Sequence, residues 1–374
     1  MMNRLVKMTC IAACFLLTSM HLQAGNCEAS HKVFTKNFPV SENATLKIDN
    51  FSGKIIISEW DKNEISFTVT ITATAKKQST AQELVEKVVV DFKHEGNIVS
   101  AKTNCPSQKD KCNCTYSINY QISVPKNIHY DLKTKSGNIE IENATGNVTV
   151  SLFSGNFSGD EFSGNCKINV SNGQLSLKKL SGTQDEFSIH CGRLSIPEAK
   201  NLKVNATSST VSIGTVERLS IESTQTNVKI LKVKEIQFYL RSGKYEIEEL
   251  HDGTSTSNLL CSAININKLT GKLSFLELSN SKITIHNVMP SFESITINKA
   301  LCSSIEITLD AAVSCKLESL VSYGNIQINA PKANISKLTS TNAESATGTF
   351  GNNETTKALI KIKSDRSHIN ISQL

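Results

Sequence analysis

Glycine falls at every ninth residue from Gly137 to Gly182 (Gly137, Gly146, Gly155, Gly164, Gly173 and Gly182), and this spacing limits what the chain can fold into more than any other feature. The first four of these glycines are each followed by Asn. Between them lie short alternating stretches such as Asn138-Ile139-Glu140-Ile141 and Gln174-Leu175-Ser176-Leu177. Alternation with a period of two is the mark of a strand with one buried face, and Gly or Asn supplies the positive φ of a tight turn. Two nine-residue halves make one unit of eighteen. The unit outlasts the glycines: its first inward residues are Ile139, Phe157, Leu175, Leu194, Val211, Val228, Tyr245, Ile264, Ile283, Ile305 and Ile326, and the pattern returns at Ile369-Asn370-Ile371. A unit this short has no room for two helices and a turn. Stacked β coils, each covered by its neighbours, are what remain. The expected fold is all-β, a single-chain parallel β-solenoid with coils of about 17–22 residues.

Composition agrees and narrows the function classes. Of 374 residues, 39% are hydrophobic and 20% charged, which excludes a disordered chain. Residues 1–24 read as a signal peptide: Arg4 and Lys7 precede the apolar stretch Cys10 to Met20, and Leu22-Gln23-Ala24 offers a cleavage site. The apolar stretch is too short to span a bilayer, and no later run is longer, so export without a membrane span is expected. The destination is the periplasm, the cell surface or the medium, and the sequence leaves a lipid anchor open. Without the leader, Lys and Arg number 38 against 34 acids, too even for a nucleic-acid surface.

Residues 25–133 read as a capping region and 134–374 as the repeat domain. Strands are expected at Lys47 to Asp49, Lys54 to Ser58, Ile65 to Ala73, Tyr116 to Val124 and His129 to Lys133. One short helix is expected over Ser79 to Lys87, with Thr80 and Glu83 as a capping box. Ala358 to Ile362 and Ser367 to Ile371 are expected to close the far end, with Lys357, Lys361 and Lys363 discouraging edge pairing. Cys27, Cys105, Cys112 and Cys114 suit a disulfide framework better than zinc, with three pairings open. Cys191, Cys261 and Cys302 each precede an inward residue by three. They stand at equivalent corners several coils apart, so they are expected to stay unbonded and to fill the core.

The runs Asn50-Phe51-Ser52-Gly53-Lys54-Ile55-Ile56-Ile57-Ser58-Glu59-Trp60-Asp61, Tyr120-Gln121-Ile122-Ser123-Val124-Pro125 and Lys135-Ser136-Gly137-Asn138-Ile139-Glu140-Ile141 resemble the "putative adhesin" families of unknown function common in Bacteroidetes, relatives of head-domain-like auto-transporter adhesins. The resemblance covers most of the chain after the leader and is strongest from residue 45 to about 180. It implies a secreted or surface β-solenoid acting through an unknown protein or glycan ligand.

A search for chemistry yields no catalytic, cofactor-binding or metal-ligating set. The outward residues between inward pairs (Glu140, Ser158, Ser176, Ser195, Ser212, Lys229, Glu246, Asn265, Thr284, Glu306 and Gln327) place no two acids on adjacent coils. Asp160-Glu161-Phe162 and Asp185-Glu186-Phe187 are the best carboxylate cluster and read as solvated turns with a Phe anchor. Calcium-binding nonapeptide repeats need Gly-Gly-x-Gly-x-Asp, which is absent. His190 and Cys191 point to opposite faces of a strand, which separates a nucleophile from its base. The expected function is therefore non-enzymatic: an exported surface or envelope protein, adhesin or scaffold. The alternatives are a carbohydrate-active enzyme on a β-helix, which needs paired carboxylates, and an envelope-stress signalling component.

Overall fold

The computed structural model describes residues 27–106, 114–353 and 355–374. The proposed leader and Cys112 lie outside these residues. The described chain is all-β with one short helix, Gln78–Lys87. No described helix is long and apolar enough to cross a membrane.

Each turn of the repeat lays two strands in parallel on the turn before. Val148 to Leu152 pairs with Cys166 to Val170, and Phe157 pairs with both Ile139 and Leu175. The ladder continues through Leu175–Leu194 and Leu194–Val211, then Ile264–Ile283 and Ile283–Ile305. The inward residues read from the sequence are all buried and belong to one continuous apolar core. Parallel register aligns like side chains with like, so each coil covers the apolar edge of its neighbour.

The Gly-Asn pairs have a second use beyond turning the chain. Asn138 Oδ1 accepts the N–H of Asn156 (3.0 Å), and Asn156 Oδ1 accepts that of Gln174 (3.2 Å). At the opposite corner Asn147 Oδ1 accepts the N–H of Asn165 (3.1 Å), and Asn165 Oδ1 that of Thr183 (3.0 Å). The amide ladder satisfies corner backbone groups that strand pairing leaves open.

Coil order departs from sequence order at both ends. The first coil of the chain lies one layer inside the stack. Thr45–Ser52 is held between Ile98–Asn104 and His129–Ser136, and Ile55–Trp60 between Thr115–Pro125 and Ile139–Ala144. A buried knot fastens it: Thr103 Oγ1 donates to Asn50 Oδ1 (3.0 Å) and lies 2.6 Å from the Tyr120 hydroxyl. Burial pushes that phenol up to about 12. Beyond this coil, Glu64–Ala75 and Val89–Glu95 turn antiparallel, and Glu28–Pro39 adds an outer strand. Phe34, Phe38, Phe67 and Phe92 meet edge-on or stacked at this end, where a further coil would otherwise lie.

The far end repeats the device. The last coil was expected to close the stack, but Leu359–Asp365 is held between Ser294–Leu301 and Cys315–Ser322, and His368–Gln373 between Ser304–Leu309 and Asn325–Asn329. Ile369 therefore separates Ile305 from Ile326. Lys361 sits inside the stack as the partner of Glu318 (2.7 Å) rather than guarding an edge. Closure comes instead from Asn334–Thr339 and Ala343–Phe350, which pair antiparallel outside Cys315–Ser322. Over Asn325–Asn329 two side chains stand in for a strand: Glu344 accepts the Ile326 N–H (2.8 Å) and Lys337 Nζ donates to the Ile326 carbonyl (2.7 Å).

The expected capping box at the helix is not formed. The helix begins at Gln78, with Lys77 at the N-cap and no side-chain cap, so Thr80 lies inside it. Ala81 and Val85 carry its buried face.

Candidate functional site

One corner of the coils changes its construction along the stack. Gly53, Gly137 and Gly155 turn it with φ of +116, +125 and +130°, a region open in practice only to glycine. From Asn172 onward the turn moves one residue upstream into the left-handed helical region. Asn172, Cys191, Ser208, Gln225, Ser242, Cys261, Asn280 and Cys302 have φ between +47 and +55°, and Arg366 and Tyr323 continue the column at +48 and +51°. The next residue is a buried Ser or Thr in most coils. Ser281 Oγ donates to the Ser279 carbonyl (2.9 Å) and accepts the Ser262 N–H (3.2 Å), while Ser303 Oγ accepts the Ser281 N–H (3.2 Å). Ser367 Oγ accepts the Ser303 N–H (3.1 Å) in turn. A hydroxyl ladder thus runs inside the corner, and the side chains of the left-handed residues stand outside it.

This arrangement corrects the reading of the cysteines. Cys191, Cys261 and Cys302 are free and unbonded to each other, at equivalent corners as expected, but they are exposed rather than core residues. A left-handed residue turns its Cβ away from the barrel that its neighbours fill. The buried thiols are Cys166 and Cys315, and burial pushes the latter up to about 12. Cys27 and Cys105 carry free thiols, so the expected framework linking all four N-terminal cysteines is not formed.

The two carboxylate pairs do not meet. Asp160 lies on the strand that pairs with Gln174 to Leu180 and takes Lys178 Nζ at 2.7 Å. Glu186 lies on the other strand of its coil and is held between Lys203 (3.1 Å) and Lys167 (3.5 Å), which keep its carboxyl below the usual range. Asp185 is not a solvated turn residue. It occupies an inward position between Cys166 and Leu202 and is 2% exposed. Its Oδ1 accepts the Cys166 N–H (2.9 Å) and its Oδ2 has no partner. Burial raises its pKa to about 6. The signal was in the sequence: Phe187 and Ile189 point inward, so the same parity carries Asp185 inward too. His190 is exposed beside exposed Cys191, with no shared pocket for the two. Among the described residues no group of three or more His, Cys, Asp or Glu could hold a metal ion.

The largest concavity is an open groove of about 980 Å³ that crosses the first strands of successive coils from Asn147 to Lys272. Several of its charges are paired within it: Glu186 with its two lysines, and Arg218 with Glu235 (3.4 Å), while Arg218 also donates to Asn201 (3.1 Å) and Lys272 reaches out to Glu293 (3.0 Å). Asp252 accepts the Lys272 N–H (2.7 Å). Exposed ion pairs of this kind contribute little to stability, about 0–1 kcal/mol each. They place charges of both signs along the groove.

No family model matches the chain, and no curated protein does. Among solved structures it is similar to a "putative cell adhesion protein" from Clostridium sporogenes, at 12% identity over 92% of this chain and 100% of that one, with a TM-score of 0.21. It is also similar to a "putative adhesin" from Bacteroides fragilis, at 12% identity over 92% and 97% of the two chains, with a TM-score of 0.22. A "putative lipid binding protein" from Parabacteroides distasonis aligns at 13% identity over 91% and 96%, with a TM-score of 0.28. The first two carry the kind of name that the sequence resemblance gave.

Proposed function

We propose that this chain is an exported, single-chain parallel β-solenoid that works by binding through its outer faces, as an adhesin or scaffold of the cell envelope, and that it is not an enzyme. In this reading residues 1–24 direct export, 25–133 cap the stack and 134–374 carry the repeat surface. It acts in the periplasm, at the cell surface or outside the cell. The observation that supports it most is the fate of the best acidic cluster. Asp160 and Glu186 are held by lysines of neighbouring coils, and Asp185 is inside the core. Glycoside cleavage needs two carboxylates facing one bond across roughly 5–10 Å.

The test is a pull-down from native envelope with the mature chain, beside an assay for polysaccharide turnover. The expected result is retention of a surface component, unchanged when Asp160→Asn, Glu161→Gln and Glu186→Gln are combined. Turnover that disappears in this triple variant would replace the binding reading with the enzyme.

A further inference from the structure

Exposed aromatic rings are scarce on this surface, yet two of them stand on the rungs either side of one lysine. Phe51 is 39% exposed and Phe153 is 64% exposed. Asn50 and Leu152 both pair with Thr134, and Ser52 and Ser154 both pair with Ser136, which puts Phe51, Lys135 and Phe153 on three successive rungs. Lys135 Nζ lies 5.3 Å from the centre of the Phe51 ring. Lys133, which lines the same cleft, has Asp131 at 3.9 Å. Lys135 has no ion pair among the described residues. Beside this strip runs a shallow cleft of about 240 Å³ whose polar groups include Asp49, Ser151 and Asn169.

From this we propose that the Phe51–Lys135–Phe153 strip is a binding site for an extended acidic glycan, one that carries carboxylates on pyranose rings. The proposal rests on the surface-binding reading above and gives it a ligand class. The two phenylalanines stand two backbone rungs apart, about 9.6 Å along the stack, close to the length of a disaccharide in an extended pyranose chain. The C–H face of a sugar ring carries partial positive charge and meets the negative face of a phenyl ring. Lys135, on the rung between the two phenylalanines, takes the carboxylate, and the polar cleft takes hydroxyls. An anionic membrane offers Lys135 its charge but no sugar ring for Phe51 and Phe153 to stack on, and the vesicle arm below tests it.

The probe is polygalacturonate, with dextran as the neutral comparator and phosphatidylglycerol vesicles as the anionic surface without sugar. The mature chain is expected to bind polygalacturonate in a salt-sensitive manner and dextran at least about tenfold more weakly. Joint Phe51→Ala and Phe153→Ala should weaken binding at least about tenfold, with the circular dichroism spectrum and Tm retained. Lys135→Gln should remove most of the salt dependence and serves as a second variant if the double variant fails to fold. Equal binding to dextran, a double variant that binds like the wild type, or binding to the vesicles alone would each overturn the site. The envelope pull-down separates the two claims. A component retained equally by wild type and double variant sinks this site and leaves the surface-binding reading standing. No retained component sinks that reading itself.

Discussion

The coils around Gly137 and Gly155 and the coils from Cys191 to Cys302 turn the same corner by different means. In the first group the turn sits on glycine at φ near +125 to +130°, where an added Cβ at Gly155 would lie 1.9 Å from the Gly137 carbonyl oxygen. In the second it sits one residue earlier at φ near +50°, which Asn, Ser or Cys can adopt at modest cost, and a buried hydroxyl closes the turn from within. A nine-residue glycine rhythm and its disappearance are thus two sequence spellings of one stacked fold. The first spelling is rigid in sequence. The second is permissive.

The largest expected effect tests the rigid spelling. Gly155→Val should cost more than about 4 kcal/mol or abolish folding, whereas Ser208→Val at a left-handed corner should cost about 1–2 kcal/mol. Urea unfolding of both variants decides it, and equal losses would erase the distinction between the corners.

Asp185 lies in the coil between the left-handed corners Asn172 and Cys191. Its folded pKa, raised to about 6, exceeds its unfolded value near 4, so the folded state binds the extra proton. Its contribution is fully present below about pH 4 and is lost as pH rises through 6, a change on the order of 3 kcal/mol. Asp185→Asn keeps the acceptor for the Cys166 N–H and should be the more stable protein at pH 7, with the advantage vanishing by pH 4. A pH-independent difference between the two would refute the assignment.

The permissive corner depends on its hydroxyls. Ser281→Ala strands the Ser262 N–H and frees the Ser279 carbonyl, for a loss of about 1–3 kcal/mol measured by thermal or urea unfolding. A loss below a few tenths would show the ladder to be incidental. The smallest effect has the opposite sign. Cys261→Gly or Cys302→Gly relieves the left-handed strain and should stabilise by about 0.5–1 kcal/mol, with a small rise in Tm as the readout.

Much of the repeat was legible because alternation and spacing are local. Ile139, Phe157, Leu175 and their successors were found from parity alone, and so was the polar ladder outside them. What stayed hidden depends on choice of neighbour. Nothing in Leu359–Asp365 tells it to lie between Ser294–Leu301 and Cys315–Ser322 rather than outside both, since any apolar strand would accept it. The outer strand Glu28–Pro39 was missed because its more covered face mixes Ser30 and Lys32 with Phe34 and Phe38 while Val33 lies on the exposed face, so its apolar residues do not alternate. The exposed corner cysteines were misread because backbone handedness, not parity, decides where their side chains go. Of the candidate site, Asp160 and Glu186 could be picked out as the best acidic cluster, but not the lysines of neighbouring coils that hold them. The pairing of Phe51 with Lys135 and Phe153 needed the out-of-order first coil, which sequence proximity conceals.

That concealed coil order has a mechanical consequence at the opposite end. A surface protein of the kind proposed, holding a partner, would be pulled. In a stack wound strictly in order, tension on the terminus would peel the outermost strand along a single seam, one hydrogen bond at a time. Here the terminal strand His368–Gln373 has a ladder on each side, to Ser304–Leu309 and to Asn325–Asn329. Tension at Leu374 must open two seams together, or else draw the strand out lengthwise from its slot and shear every bond at once. Threading the C-terminal strand inward makes the stack resist unravelling from that end.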